Sequence, residues 1–181
     1  KFQGYIDLAA FWQEFQNTIE YNYAIWGTEQ PGFKFLNTGS TRVRGLDFTW
    51  VGEGQLTKDL KMTVLAGFTY IKPQALDPNL VYAVDSNLFP KQLSYISTST
   101  DTTDYILKYR FTTTAKADIS FQYKRVSAGF SVRYYSFIQN IDKTFYDLDQ
   151  TVLPVGIVNY RNEHDGGTTV FDFRFGVAFA K

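Results

Sequence analysis

The chain has no cysteine. A disulfide-stapled secreted fold and a thiolate zinc site are therefore both disfavoured. Absence of stray thiols suits an oxidising envelope compartment, although many cytosolic chains also lack them. There is no excess charge of either sign, because 18 basic residues balance 18 acidic ones. The basic footprint of a nucleic-acid-binding protein is missing, so no nucleic-acid partner is expected. No uninterrupted apolar run approaches the ~18 residues that a membrane helix needs, which excludes crossing by helices. Proline is scarce, and all five fall in predicted connections (Pro31, Pro73, Pro78, Pro90 and Pro154). No leader-like segment precedes the first strand pattern. Lys1-Phe2-Gln3-Gly4 runs straight into it, as expected of an internal stretch of a longer protein.

What the chain has in quantity is aromatic side chains: 17 Phe and 13 Tyr among 181 residues, 18% aromatic with tryptophan included. Mean hydropathy is nevertheless −0.24. A soluble monomer with no net charge and this aromatic load would associate readily, so something must cover its apolar face. Strict alternation shows how that face is built. From Phe111 to Tyr123, odd positions carry Phe, Thr, Ala, Ala, Ile, Phe and Tyr, whereas Lys116, Asp118, Ser120 and Gln122 lie between them. Val126, Ala128, Phe130, Val132 and Tyr134 alternate with Ser127, Gly129, Ser131, Arg133 and Tyr135. Phe171, Phe173, Phe175, Val177 and Phe179 alternate with Asp172, Arg174, Gly176, Ala178 and Ala180. Successive strand side chains point to opposite faces, so each segment has an apolar face and a polar one.

Three earlier segments follow the pattern less tightly, around Ile6–Trp12, Leu46–Trp50 and Met62–Tyr70. Upstream of Gly45 the parity inverts, with Val43 apolar between Arg42 and Arg44, and a β-bulge at Gly45 is the predicted cause. Six strands are predicted: Gly4–Phe15, Phe35–Trp50, Lys58–Ile71, Arg110–Tyr123, Val126–Ile138 and Thr169–Lys181. Long links of about Glu20–Lys34, Lys72–Tyr109 and Gln139–Thr168 alternate with tight turns at Gly52-Glu53-Gly54-Gln55 and Lys124-Arg125. Long structureless loops count against a compact soluble domain. Strands of this length with one-sided long loops are expected of a membrane barrel, with long loops outside and short turns in the periplasm. The competing fold, a soluble sandwich with Phe and Tyr packed inside, explains neither feature. Aromatic residues fall near predicted strand ends, where rings favour the membrane interface. Trp12, Tyr70 and Tyr134 lie at the outer ends, and Trp50, Phe121 and Tyr123 at the inner.

The predicted lumen face carries Lys116, Asp118, Arg133, Asp172 and Arg174. Lys or Arg on the lipid side at mid-membrane would cost ~2–4 kcal/mol, a cost the alternation avoids. A two-residue turn at Lys124-Arg125 makes Asp118 and Arg133 diagonal neighbours and a predicted ion pair. The default role of these charges is a water-facing wall; the alternative is direct substrate contact. In the last long loop, Tyr146, Asp147 and Asp149, with Asp142, are candidates for binding a cation or a ligand hydroxyl, though the EF-hand order is absent. His164, the single histidine, lies in Glu163-His164-Asp165-Gly166-Gly167. The bland reading of both stretches is solvated turn. No nucleophile–base pair and no phosphate loop accompany them, so neither catalysis nor a cofactor is expected.

Asn37-Thr38-Gly39-Ser40-Thr41-Arg42-Val43-Arg44-Gly45-Leu46-Asp47 is the most specific stretch. It resembles the Asn-x-Gly…Gly-x-Glu strand of TonB-dependent receptors, with Asp47 where that family more often has Glu. Gly4–Trp12 with Ile19-Glu20, Leu65–Tyr70 and Phe171–Gly176 resemble further strands of the family, the last in its Bacteroidetes-type members. The resemblance implies an all-β, antiparallel, up-and-down transmembrane β-barrel segment of about six strands from a larger barrel of ~22. It also implies an outer-membrane location amid outer-membrane lipid, active uptake of a nutrient (siderophore, vitamin, glycan or peptide), and the TonB complex as partner through a plug region not present in these residues. A surface lipoprotein is a further implied partner. The competing functional class is a non-transport barrel acting as adhesin or scaffold. The domain expected is 1–181, a partial barrel domain lacking plug and final strands.

Overall fold

The computed structural model describes residues 1–27, 30–84, 90–151 and 154–179. Its elements in chain order begin with β1 (Phe2–Phe15), β2 (Ile19–Trp26), β3 (Gln30–Asn37), β4 (Thr41–Gln55) and β5 (Leu60–Ala75). The two-residue strands β6 (Ala83–Val84) and β7 (Gln92–Leu93) and the short helix α1 (Tyr95–Thr98) follow. A single 3₁₀ turn at Thr103–Tyr105 leads into β8 (Thr113–Tyr123) and β9 (Val126–Tyr135). Helices α2 (Lys143–Thr151) and α3 (Ile157–Glu163) then precede β10 (Thr168–Val177). No described helix is long and apolar enough to cross a membrane.

Six strands form one sheet in the order β1-β4-β5-β8-β9-β10, every neighbouring pair antiparallel. This is the up-and-down wall the alternation predicts, and its strands run from 10 to 16 residues, enough to span a bilayer when tilted. The register joins like faces throughout. Leu8, Phe48, Phe68, Ala115, Tyr134 and Thr169 form one row across the outward face; Ile6, Trp50, Ala66, Ala117, Val132 and Phe171 form the next. Leu8 at 72% exposure and Phe173 at 80% belong to a continuous apolar surface. Water would not tolerate so large a patch, whereas lipid covers it.

Several boundaries differ from those predicted. Phe35–Asn37 belong not to the wall but to β3, which pairs with β2 in a separate hairpin. The second wall strand is therefore Thr41–Gln55 rather than Phe35–Trp50. Gly52–Gln55 are paired strand residues, and the turn lies at 56–59, closed by the Leu56 amide on the Leu60 carbonyl at 2.8 Å. The other wall strands shift by a few residues each. The Lys124-Arg125 turn is as predicted, with Tyr123 opposite Val126 and Lys124 at φ +52°. Ala180 and Lys181, the predicted end of the last strand, lie outside the described residues.

No bulge occurs at Gly45. Pairing runs unbroken from Phe2 opposite Gly54 to Phe15 opposite Thr41, and from Thr41 opposite Ala75 to Gln55 opposite Lys61. The polarity inversion has another cause. At Arg42 and Arg44 the strand has passed beyond the apolar band, so its outward face turns polar without any change of register. The long connections are also not structureless. They carry β2–β3, β6–β7 and the three helices, and most of the molecule's buried residues lie there, among them Ala24, Leu93, Asn22 and Asp142 at 0% exposure. The wall has lipid on one side and lumen on the other, so residues enclosed on both sides are concentrated in the loop cap.

Candidate functional site

The inward face of the wall carries all five predicted lumen charges. Asp118 lies directly opposite Ser131, which lies opposite Asp172; Lys116 lies opposite Arg133. Arg174 Nη2 donates to both Asp118 carboxylate oxygens, at 2.8 and 2.6 Å, and Nη1 to Ser131 Oγ at 3.0 Å. Arg133 pairs with Asp172 at 2.7 Å. The predicted Asp118–Arg133 pair is thus replaced by two others. Position 129 decides the exchange: it is glycine, and a Cβ there would stand 2.9 Å from Arg174 Nη2 and 3.2 Å from Ser120 Oγ. The guanidinium lies in that gap and reaches across β9 to β8.

Lys116 has no ion-pair partner among the described residues, and its side chain lies over Gly67. It borders two open cavities. One, of about 370 Å³, is lined by Asp47, Thr49, Thr69, Thr114, Lys116 and Arg133, with Tyr135 at its edge. The second, of about 280 Å³, adds Asp118, Asp172 and Arg174. Asp47 accepts a 2.6 Å hydrogen bond from Thr69. This wall is a hydroxyl-rich, charge-alternating surface able to hydrogen-bond water or a polar solute.

Above it the three long connections interlock through a buried polar network. Lys108 Nζ donates to Asn22 Oδ1 at 2.7 Å, to Thr98 Oγ1 at 3.1 Å and, in a short contact, to Asp142. Asp142 also accepts from the Tyr109 hydroxyl at 2.7 Å and the Tyr23 amide at 2.9 Å. Arg110 holds Glu20 with two contacts, at 2.8 and 3.0 Å. Burial pushes the Lys108 ammonium below its ordinary range against the pull of Asp142, and pushes Glu20 up against Arg110 and Lys108. Tyr95, whose hydroxyl donates to the Ile106 carbonyl at 2.6 Å, is pushed up to about 12 by burial. No sequence pattern marks Lys108, because two of its three partners lie 86 and 34 residues away. Beside this network an exposed apolar groove of about 470 Å³ is lined by Tyr21, Phe33, Tyr109 and Arg110.

A family model described as TonB dependent receptor-like, beta-barrel matches residues 1–180. The chain belongs to this family. A search of curated proteins and a search of solved structures found no match. As a TonB-dependent receptor barrel it resides in the bacterial outer membrane, in a family of receptors and transporters that work with TonB. Its long loops therefore face outward and its two tight turns the periplasm.

In this receptor barrel the Asn37–Asp47 stretch has a structural reading. Gly39 sits at φ +90°, and a Cβ would meet Leu80 Cδ2 at 2.7 Å. Its amide donates to Asn37 Oδ1 at 3.1 Å, and Thr18 and Thr38 exchange backbone bonds with the opposite arm. Asn37-Thr38-Gly39 is thus the hinge where the β2–β3 hairpin rejoins the wall. At Gly45 the ring of Phe11 lies where a side chain would stand, with Cζ 2.7 Å from the position of a Cβ. The loop candidates are all engaged locally. Asp147 pairs with Lys143 one helical turn away, Tyr146 accepts from Arg161 Nε at 3.0 Å, and Asp149 accepts from the Gly156 and Val158 amides at 2.7 and 3.0 Å. Those amides hold the Asp149 carboxyl below its ordinary range. His164 stacks on Tyr160 at 4.1 Å. Among the described residues no three acidic or histidine side chains are grouped to hold a metal ion.

Proposed function

We propose that this barrel takes up one nutrient actively (a siderophore, vitamin, glycan or peptide) through a lumen closed by a plug, with the TonB complex acting on that plug. The observation that supports this reading best is the inward wall. Its charges Asp118, Arg133, Asp172 and Arg174 satisfy one another, whereas Lys116 faces open cavities lined with hydroxyls. A surface that only sealed against a plug would not need an ammonium without an ion pair over free volume. Lys116 is the lumen residue that contacts a passing polar solute or the plug, and the other four hold the wall in shape around it. The groove at Tyr21, Phe33 and Tyr109 offers ring faces to the ligand first, and the engaged Tyr146, Asp147 and Asp149 shape the adjoining loop. A surface lipoprotein would bind over the same loops, and the Phe171–Gly176 pattern suits a Bacteroidetes-type source.

Growth on a panel of the four nutrient classes, each limiting, tests this. Deletion of the gene abolishes growth on one of them, and a Lys116→Ala copy restores barrel assembly but only part of the uptake. Unimpaired growth on every nutrient after deletion counts against import. It would favour the adhesin or scaffold reading, to which the exposed rings of Tyr21, Phe33 and Phe35 lend their support.

A further inference from the structure

The unbroken register at Gly45 has a chemical consequence on the outside of the wall. Arg42 and Arg44 share the outward face of Leu46, Phe48 and Trp50. Trp12, Arg44 and Lys72 are direct neighbours in one row across β1, β4 and β5; Glu14, Arg42 and Gln74 form the row above, and Ala10, Leu46 and Tyr70 the row below. Three cations thus gather at the rim of the lipid-facing surface. Gly54, near the periplasmic end of β4, is ten residues from Arg44, which in a tilted strand is a height of roughly 25 Å, about that of a barrel's apolar band. The cluster therefore stands where the outer leaflet's acyl chains give way to headgroups.

Its charges do not cancel. Arg42 is held by Glu14 at 2.7 Å and Lys72 by Asp104 at 3.0 Å, but Arg44 has no carboxylate partner among the described residues. The Trp12 indole lies under both guanidinium groups, 4.5 Å from Arg42 and 5.6 Å from Arg44. A guanidinium stacked on a ring still presents N–H donors at its edge, in the fork that suits a phosphate. Leu46 and Tyr70, both exposed on the lipid face just below, continue the surface along which an acyl chain would lie.

We infer that Arg44, flanked by Lys72 and Arg42 on the Trp12 ring, binds the phosphate of an anionic outer-leaflet lipid whose acyl chains pack on the apolar band beneath. The charge complementarity and the continuity with the lipid-covered face single out a lipid as occupant. An ordinary interfacial anchor needs the cations but not the preference for one headgroup.

The protein extracted from outer membranes, delipidated in detergent and titrated with phosphatidylglycerol or phosphatidylcholine under native mass spectrometry, tests this. The first lipid bound is expected to be phosphatidylglycerol in preference to phosphatidylcholine. Arg44→Ala weakens that first binding about five-fold, as the loss of one cation at a membrane surface implies, and Arg44→Lys retains most of it. Lys124→Ala, which removes the same charge from the periplasmic turn, leaves it unchanged. Heat-modifiable gel migration verifies the barrel in every variant, and Arg44→Gln replaces Arg44→Ala if the latter does not assemble. Equal affinity for the two lipids, or equal loss in Lys124→Ala, overturns the proposal. Displacement of the lipid by millimolar inorganic phosphate overturns it in favour of a free-anion site.

Discussion

Gly129 shows how a single missing side chain sets the electrostatics of the lumen. The alternation places Asp118 and Arg133 on one face, and a flat grid makes them diagonal partners. Arg174 instead crosses the gap at Gly129 to Asp118, which leaves Arg133 to Asp172. The choice turns on a few ångströms of empty space, which periodicity does not encode. Half-exposed pairs of this kind couple by about 0.2–1 kcal/mol. A double-mutant cycle of Asp118→Asn with Arg174→Gln, read by urea unfolding in liposomes, should return a coupling in that range. The same cycle in a Gly129→Val background should return none, because the added side chain displaces the guanidinium while the barrel still folds.

At the scale of elements, the loop hairpin β2–β3 is where reading by pattern falls short. Its residues alternate as wall strands do, Tyr21 exposed and Glu20, Asn22 and Ala24 buried, yet as a strand pair it joins only with itself. Asn37-Thr38-Gly39 is legible as a specific motif. Its hinge role depends on Leu80 and Thr18, which come from other parts of the chain. The buried Lys108–Asp142 pair fastens this hairpin to the other two loops. Removing one partner of a buried pair strands the other charge, at a cost of about 3–5 kcal/mol. Lys108→Met should accordingly open the cap while sparing the wall. Limited proteolysis should cut within 76–112 and 136–167 many times faster than in the parent protein, with heat-modifiable migration of the barrel retained. Equal proteolysis rates would show that the loops hold without the pair.

For the whole molecule, the two faces of the sheet lie in different solvents, and the sequence alternates to match. Ala117 sits mid-row on the outward face beside Ala66 and Val132, and Ser131 sits inward beside Asp118 and Asp172. Ala117→Arg should lower the folding free energy into liposomes by about 2–4 kcal/mol, the depth-dependent cost of a cation in lipid. Thr63→Lys, at an exposed position on the lumen face opposite Ser120, should lower it much less, since water meets that face. Similar losses at the two positions would mean that the faces are assigned wrongly.

The sequence by itself determined the class of the protein: period-two alternation settles which side chains meet lipid and which meet water, and loop length settles which end faces outward. Those properties are local, so a linear reading captures them. The tertiary structure alone decided the rest. The pairing of the lumen charges, the absence of a bulge at Gly45, the outward placement of Arg44 and the interlocked cap with Lys108 at its centre all depend on residues tens of positions apart. Register and packing bring those residues together, and neither is written in any one stretch of the chain.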